Sequence, residues 1–255
     1  MAKVIAIVNH KGGVGKTTTT LNLGYYLAGK GKKILFVDMD AQGNLSEWCD
    51  RIITDYSIND VFSEDKTIND VTYPVDGNDK INIVPSGVEL STLDITIGGQ
   101  VAREYILADA LDVVKPKYDF ILIDCPPAVT IGTINALTAS DYYITVTQAN
   151  NLALRGAEKV TAVINKMMKK VNPNLKHLGV LVSFFDSRLS LNKSFIETIF
   201  EIYGDNVFES KIRNNIAIQE SSVAMMSIFD YSPNSNGAKD YEAFGDEVVK
   251  RLSKQ

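Results

Sequence analysis

Eight residues near the start of the chain, Lys11-Gly12-Gly13-Val14-Gly15-Lys16-Thr17-Thr18, combine the features a phosphate site needs. Glycines let the backbone curl until successive N–H groups point at one anion. Lys16 is expected to reach the β- and γ-phosphates of a nucleotide, and the Thr17 hydroxyl to bind Mg²⁺. The usual spacing G-x-x-x-x-G-K-[ST] asks for glycine at position 10. Here His10 stands there, and a second lysine, Lys11, opens the loop. Two further sets of carboxylates suit the same chemistry. Asp38 and Asp40 follow the apolar run Ile34-Leu35-Phe36-Val37 two residues apart, so they share one face of a strand end. They are expected to hold a magnesium-bound water and to orient the attacking water. Asp124 ends Phe120-Ile121-Leu122-Ile123 and matches a Walker B carboxylate, expected in the magnesium shell beside Thr17. Cys125 reads as a packed neighbour rather than a nucleophile, since no histidine lies near it in sequence.

The elements that must position these groups alternate between two hydrophobic periods. Val4 to Val8 is a β-branched run that suits a buried strand, and Thr17 to Lys30 has the composition of a helix stopped by Gly31. Strand, glycine loop and helix place the helix N-terminus at the anion. Further strands are expected at 34–37, 81–86, 120–124, 142–146 and 178–183, and helices at 131–139, 154–171, 191–203 and 238–252. Trp48, Ile52, Ile53 and Val61 suggest a helical excursion, and Asp76-Gly77-Asn78-Asp79 a turn. Leu90, Leu93 and Ile97, then Val101, Tyr105, Ile106, Leu107, Leu111 and Val114, have helical spacing broken at Gly98-Gly99. This alternation predicts an α/β fold: one domain over 1–255, with a mostly parallel twisted sheet covered by helices on both faces.

Composition bounds the class. With 45% hydrophobic and 22% charged residues, the chain reads as an ordinary globular protein, and no apolar stretch approaches the roughly 18 residues of a membrane span. Two cysteines make no disulfide framework, and the first strand leaves no room for a signal peptide, so a cytoplasmic location is expected. The net charge of −5 hides an asymmetry. Residues 1–150 hold 12 Lys+Arg against 19 Asp+Glu, whereas residues 151–255 hold 14 against 12. Lys166, Lys169, Lys170, Lys176, Arg188 and Lys193 face only Asp186 in their stretch, which suits contact with a polyanion.

The loop K-G-G-x-G-K-T-T resembles that of the ParA/MinD branch of P-loop ATPases, the deviant Walker A form. The stretch Asp38-Met39-Asp40-Ala41-Gln42-Gly43-Asn44 is similar to the D-x-D-x-Q-G-N switch of the ParA group, and Asp124-Cys125-Pro126-Pro127 to its D-C-P-P. Gln148 stands where that group has a glutamine. Residues 212–222 resemble its I-P-R-N-V-R-L-S-E-A-P segment, with Arg213 and Ser222 for prolines and Asn214 and Ala217 for arginines. The resemblance covers nearly the whole chain, in the short form without a helix-turn-helix extension.

It implies a single-domain P-loop NTPase that hydrolyses ATP slowly with Mg²⁺. Nucleotide would be held by residues 11–18, including Gly12, Gly13, Val14, Gly15 and Thr18, and by Asn215 at the adenine. Catalysis would fall to Lys11, Lys16 and Asp40, and the metal to Thr17, Asp38 and Asp124. Lys11 would reach the partner's nucleotide across an ATP homodimer. In the ParA group that dimer binds nonspecific DNA and is released by a centromere-binding, ParB-like partner, which implies a nucleoid-associated protein. Lys166, Lys169, Lys170, Arg188, Lys193 and Arg213 are the candidate DNA contacts. Three other readings share the motifs. A MinD-type ATPase needs an amphipathic C-terminal membrane anchor, and the tail 246–255 has three apolar residues and no aromatic. A reductase of the NifH type needs paired cysteines at a dimer axis, for which Cys49 is badly placed. A nucleotide-gated binding module without hydrolysis needs Asp40 to be idle.

Overall fold

Apolar runs become strands and the segments between them become helices. The computed structural model describes residues 1–51, 54–149, 162, 164, 166, 168–186 and 188–254, the backbone alone at 190–193. Its strands are β1 (Lys3–Val8), β2 (Ile34–Asp38), β3 (Tyr73–Val75), β4 (Asn78–Val84), β5 (Phe120–Asp124), β6 (Tyr142–Gln148), β7 (Lys176–Phe185) and β8 (Val207–Arg213). The helices are α1 (Lys16–Gly29), α2 (Asn44–Trp48), α3 (Ile58–Phe62), α4 (Leu93–Thr96), α5 (Ile106–Val114), α6 (Ile131–Thr138), α7 (Ser190–Tyr203), α8 (Ile216–Val223), α9 (Ile228–Tyr231) and α10 (Asn236–Ser253). The strands form one sheet in the order β3-β4-β2-β5-β1-β6-β7-β8, in which every pairing but β3 with β4 is parallel.

Alternation along the strands divides the core. Ile5, Ile7, Ile34, Phe36, Phe120 and Leu122 join Leu21, Leu23 and Leu27 of α1 and Tyr241, Phe244 and Val248 of α10 on one face. Val4, Ala6, Leu35, Val37, Ile121 and Ile123 pack against α3, α5 and α6 on the other. The same parity directs Asp38 and Asp124, which end β2 and β5 and are register partners, to the α1 face. Two glycines let elements approach. A Cβ on Gly24 would lie 2.2 Å from the Phe36 ring, and one on Gly245 of α10 would lie 2.2 Å from the Tyr26 ring of α1.

Several expectations are corrected. The turn expected at 76–79 closes a hairpin: β4 already begins at Asn78, pairs antiparallel with β3 and ends at Val84. Residues 101–105 form turns, and Val101 is 95% exposed, so its apolar spacing did not mark a helix face. Residues 88–96 are a short 3₁₀ turn followed by α4. The edge strand β8 has no counterpart among the expected strands, because Glu209, Ser210 and Lys211 break its apolar pattern. The helix expected from 238 begins earlier, at Asn236, since Ser235 caps α10 by accepting from Ala238 N. Of the helix expected over 154–171, residues 168–171 are helical, and most of the rest lies outside the described residues, as do Ile52 and Ile53. The tail belongs to α10, whose apolar side is buried in the core. Among the described residues no helix is long and apolar enough to cross a membrane.

Candidate nucleotide site

The loop between β1 and α1 is held from several directions. Gly13 and Gly15 have φ of 70° and 90°, which favour glycine, and Gly15 forms the N-cap of α1. The Asn9 amide donates to Val146 O, and its Oδ1 accepts from Lys11 N at 3.0 Å. Gln148 Nε2 donates to Gly13 O at 2.9 Å. Ser183 Oγ lies 2.6 Å from Val14 O and 3.1 Å from Thr147 O. The ends of β6 and β7 therefore fix the curl of the loop, an arrangement that spends no binding energy on ordering it. His10, at the position of the usual first glycine, keeps a buried Nδ1 without a partner among the described residues. Its proton affinity is lowered by burial and by Lys11 and Lys16.

Thr17 Oγ1 donates to Asp124 Oδ2 at 2.6 Å, and Thr20 Oγ1 to Asp124 Oδ1 at 3.3 Å. These hard oxygen donors at the start of α1 fit a small divalent cation such as Mg²⁺. Lys16 is almost buried, with Nζ 3.4 Å from Lys11 O. Asp38 is fully buried, and both its oxygens are engaged. Oδ2 accepts from Ser46 N at 2.9 Å and Ser46 Oγ at 2.7 Å, and Oδ1 from Asp40 N at 3.1 Å. Burial raises the proton affinity of both Asp38 and Asp124, helped by the charge of Asp40 at Asp38 and by those of Asp38 and Asp40 at Asp124, while hydrogen bonds from Ser46 and Asp40 N oppose this at Asp38, and Thr17 and Lys16 oppose it at Asp124. A cation placed there would favour the ionised pair. Asp40 Oδ1 accepts from Gln42 N at 3.0 Å.

A cleft of about 400 Å³ opens over these groups, lined by Gly12, Gly13, Gly15, Lys16, Thr17, Thr18 and Asp40. Asp40 thus shares the cleft with the loop, whereas Asp38 sits behind it as a clamp on the turn that carries Asp40. Beside the loop a small pocket is lined by Gly15, Thr18, Phe184, Asn215, Ile218 and Tyr241. Asn215 caps α8, its Oδ1 accepting from Ala217 N at 2.8 Å. Arg213 also lines this pocket and pairs with Asp240 on α10, with Nη2 2.6 Å from Oδ1.

Sequence reasoning missed Phe184, whose Cε2 lies 3.5 Å from the Cβ position of Gly15, and its backbone sits at φ 51°. No local signal marks a phenylalanine for that conformation. It also missed Ser183, which the polar end of an apolar strand signals, and Tyr241, whose OH lies 3.4 Å from Thr19 Oγ1. Glu47, Trp48, Ser222 and Met225 also line the larger cleft.

The basic candidates separate in space. Arg188 pairs with Asp186 at 2.7 Å near the end of β7, and Arg213 ends β8, so both stand at the nucleotide end of the sheet. Lys166, Lys169 and Lys170 are exposed on the helical residues before β7, and the side chain of Lys193 lies outside what is described.

A phosphate loop, a Walker B carboxylate at a hydroxyl, and a parallel sheet with ligands at its strand ends define a P-loop nucleoside triphosphatase. Comparison with known proteins agrees: the AAA domain family matches residues 2–177. The sporulation initiation inhibitor protein Soj of Bacillus subtilis is 35% identical over 98% of this chain and 99% of its own length. The chromosome partitioning protein ParA of Myxococcus xanthus is 34% identical over 98% of this chain and 89% of its own. Among solved structures, cobyrinic acid a,c-diamide synthase from Mycobacterium smegmatis with bound ATP analog and magnesium superposes with a TM-score of 0.85 at 28% identity, covering 99% of this chain and 96% of that one. The chain belongs to the ParA/Soj family of P-loop ATPases.

Proposed function

We propose that this chain is a dimerising ATPase of plasmid or chromosome partition, which binds nonspecific DNA as the ATP dimer and leaves it when a centromere-binding partner stimulates hydrolysis. The Soj and ParA relatives support the biological setting, and the nucleotide and magnesium in the Mycobacterium smegmatis structure support the ligands. Residues 12–18 present backbone N–H groups to the phosphates, and Lys16 neutralises the charge that develops on them. Thr17 and Asp124 would hold Mg²⁺, which when bound neutralises the outer phosphates. Asp38 holds the turn, and Asp40 orients the attacking water by accepting its hydrogen bond. Asn215 would contact the adenine, and with Phe184 it borders the small pocket beside the loop.

One observation carries this reading. Lys16 lines the cleft, whereas Lys11 does not line it and its ammonium has no hydrogen bond or ion pair among the described residues. A lysine kept at a phosphate loop with no task in its own subunit fits a nucleotide held by a second copy, and the triphosphates supply the charge that two inward lysines require. Sedimentation with ATP and Mg²⁺ tests it. The native chain is expected to dimerise only with the triphosphate, and Lys11→Ala to bind ATP yet stay monomeric; a Lys11→Ala dimer would remove this lysine from the interface.

A further inference from the structure

Among the described residues the sheet ends at β8, and side chains rather than a further strand take up its main chain. β8 takes four steps between the register pairs Val180–Val207 and Val182–Lys211 where β7 takes two, so residues 208–210 bulge from the ladder. Two consecutive N–H groups of the bulge go to one carboxylate. Glu247 of α10 accepts from Glu209 N at 3.0 Å through Oε1, and from Ser210 N at 2.9 Å and Ser210 Oγ at 2.8 Å through Oε2. Arg251 holds that carboxylate, with Nη2 2.9 Å and Nε 3.1 Å from Glu247 Oε1. The same guanidinium donates to Val207 O at 2.6 Å and Leu178 O at 3.0 Å, and it lies over the Phe208 ring. At the far end of the strand Asp240 accepts from Arg213 N at 3.0 Å. Residues 240, 247 and 251 share one side of α10, because their spacings fall close to whole helical turns. Their side chains are only 10%, 14% and 19% exposed, so these bonds are shielded from water as surface ion pairs are not.

We propose that this stripe of α10 is an autoinhibitory lock on the free edge of the sheet, which keeps β8 from pairing with the β8 of a second copy. An edge strand with free N–H and C=O groups is a template for another chain. Two copies related by a two-fold axis present the same strand to each other in antiparallel sense, so a single edge supplies both sides of the contact. The partner held off is therefore this chain itself. The stripe withholds Val207 O, Glu209 N, Ser210 N and Arg213 N from it. Docking the helix does not require these charges, since Tyr241, Phe244 and Val248 already bury its apolar side against the sheet. Glu247 is the central member, because it alone serves the bulge in the middle of the strand. The contact it blocks uses neither nucleotide nor Lys11, so it is separate from the ATP dimer proposed above.

Sedimentation velocity without nucleotide, over a wide range of protein concentration, tests it. The native chain is expected to stay monomeric. Glu247→Ala is expected to self-associate about tenfold more tightly or more, which is what a pair of newly made main-chain hydrogen bonds supplies. Adding Ser210→Pro removes one of the freed N–H groups and is expected to return Glu247→Ala to the monomer. Glu247→Gln keeps the shape and one acceptor oxygen, and it is expected to fall between Glu247→Ala and the native chain. Lys250→Ala, which changes the same groove beside β8 without touching the strand's main chain, is expected to behave as native. Circular dichroism identifies the folded variants. A folded Glu247→Ala that stays monomeric at every concentration, or whose association survives Ser210→Pro, would overturn the lock. Should Glu247→Ala not fold, Glu247→Gln decides, and its remaining monomeric throughout would overturn the lock equally. The ATP dimer is read separately, by adding the triphosphate to the native chain, so failure of one does not carry to the other.

Discussion

Asp38 and Asp40 show how two like residues, two positions apart, acquire different work. Strand parity sends both to the α1 face, but Asp38 ends inside the sheet with each oxygen occupied by Ser46 or by Asp40 N. Asp40, just beyond the strand, lines the cleft with Lys16 and Thr17. Asp40→Ala is therefore expected to bind ATP normally, accumulate as the dimer and lose turnover by about tenfold to a thousandfold, the range for removing one group that orients a reactant. Phosphate release measured beside sedimentation checks this, and undiminished release would take Asp40 out of the mechanism. At this scale much was legible, because Lys16, Thr17 and Asp124 belong to motifs whose chemistry dictates residue type and spacing. Phe184 was not legible, since its left-handed backbone at the edge of the loop is a product of where β7 ends.

Elements were readable where hydrophobic period and length agreed. The parallel strands, buried on both faces, appear as continuous apolar runs, and α1 begins at the glycine loop and stops at Gly29 before Gly31. Edge elements were harder. β8 carries Glu209, Ser210 and Lys211, and the backbone N–H groups of Glu209 and Ser210 are accepted by Glu247 of α10 at 3.0 and 2.9 Å. An edge strand satisfied by a helix side chain need not alternate. The contact of α10 with α1 is a second tertiary fact. Gly245 lies under Tyr26, whose hydroxyl donates to Asp246 on the next position. Gly245→Ala is expected to destabilise by about 1–3 kcal/mol, the range for overfilling a packed site, although alanine is the better helix former. Differential scanning calorimetry would show a melting temperature lower by several degrees.

Across the whole molecule, ligand and stability are linked. A nucleotide bound only by the folded chain stabilises it by about 2.7 kcal/mol at a hundred times its dissociation constant. ATP with Mg²⁺ is expected to raise the melting temperature of the native chain, more so at higher protein concentration if dimerisation follows. Lys16→Ala is expected to show neither effect, and titration calorimetry that finds unchanged ATP affinity in it would refute the site. The ordering of charge is the other property of this scale: Lys3 and Lys176, at the starts of β1 and β7, and the nucleotide cleft occupy opposite ends of one sheet. A charge count along the chain placed Lys176 and Arg188 in one basic stretch, yet β7 carries them to opposite ends.

The sequence by itself determined the fold class, the phosphate loop and the Walker B carboxylate, because those depend on periodicity and on spacings of a few residues that chemistry does not let vary. Only the tertiary structure decided which aspartate faces the cleft, which cations remain unpaired and which end of the sheet they occupy. Those depend on contacts between residues far apart in the chain, such as Asp38 with Asp124 and Arg213 with Asp240, that no local pattern encodes.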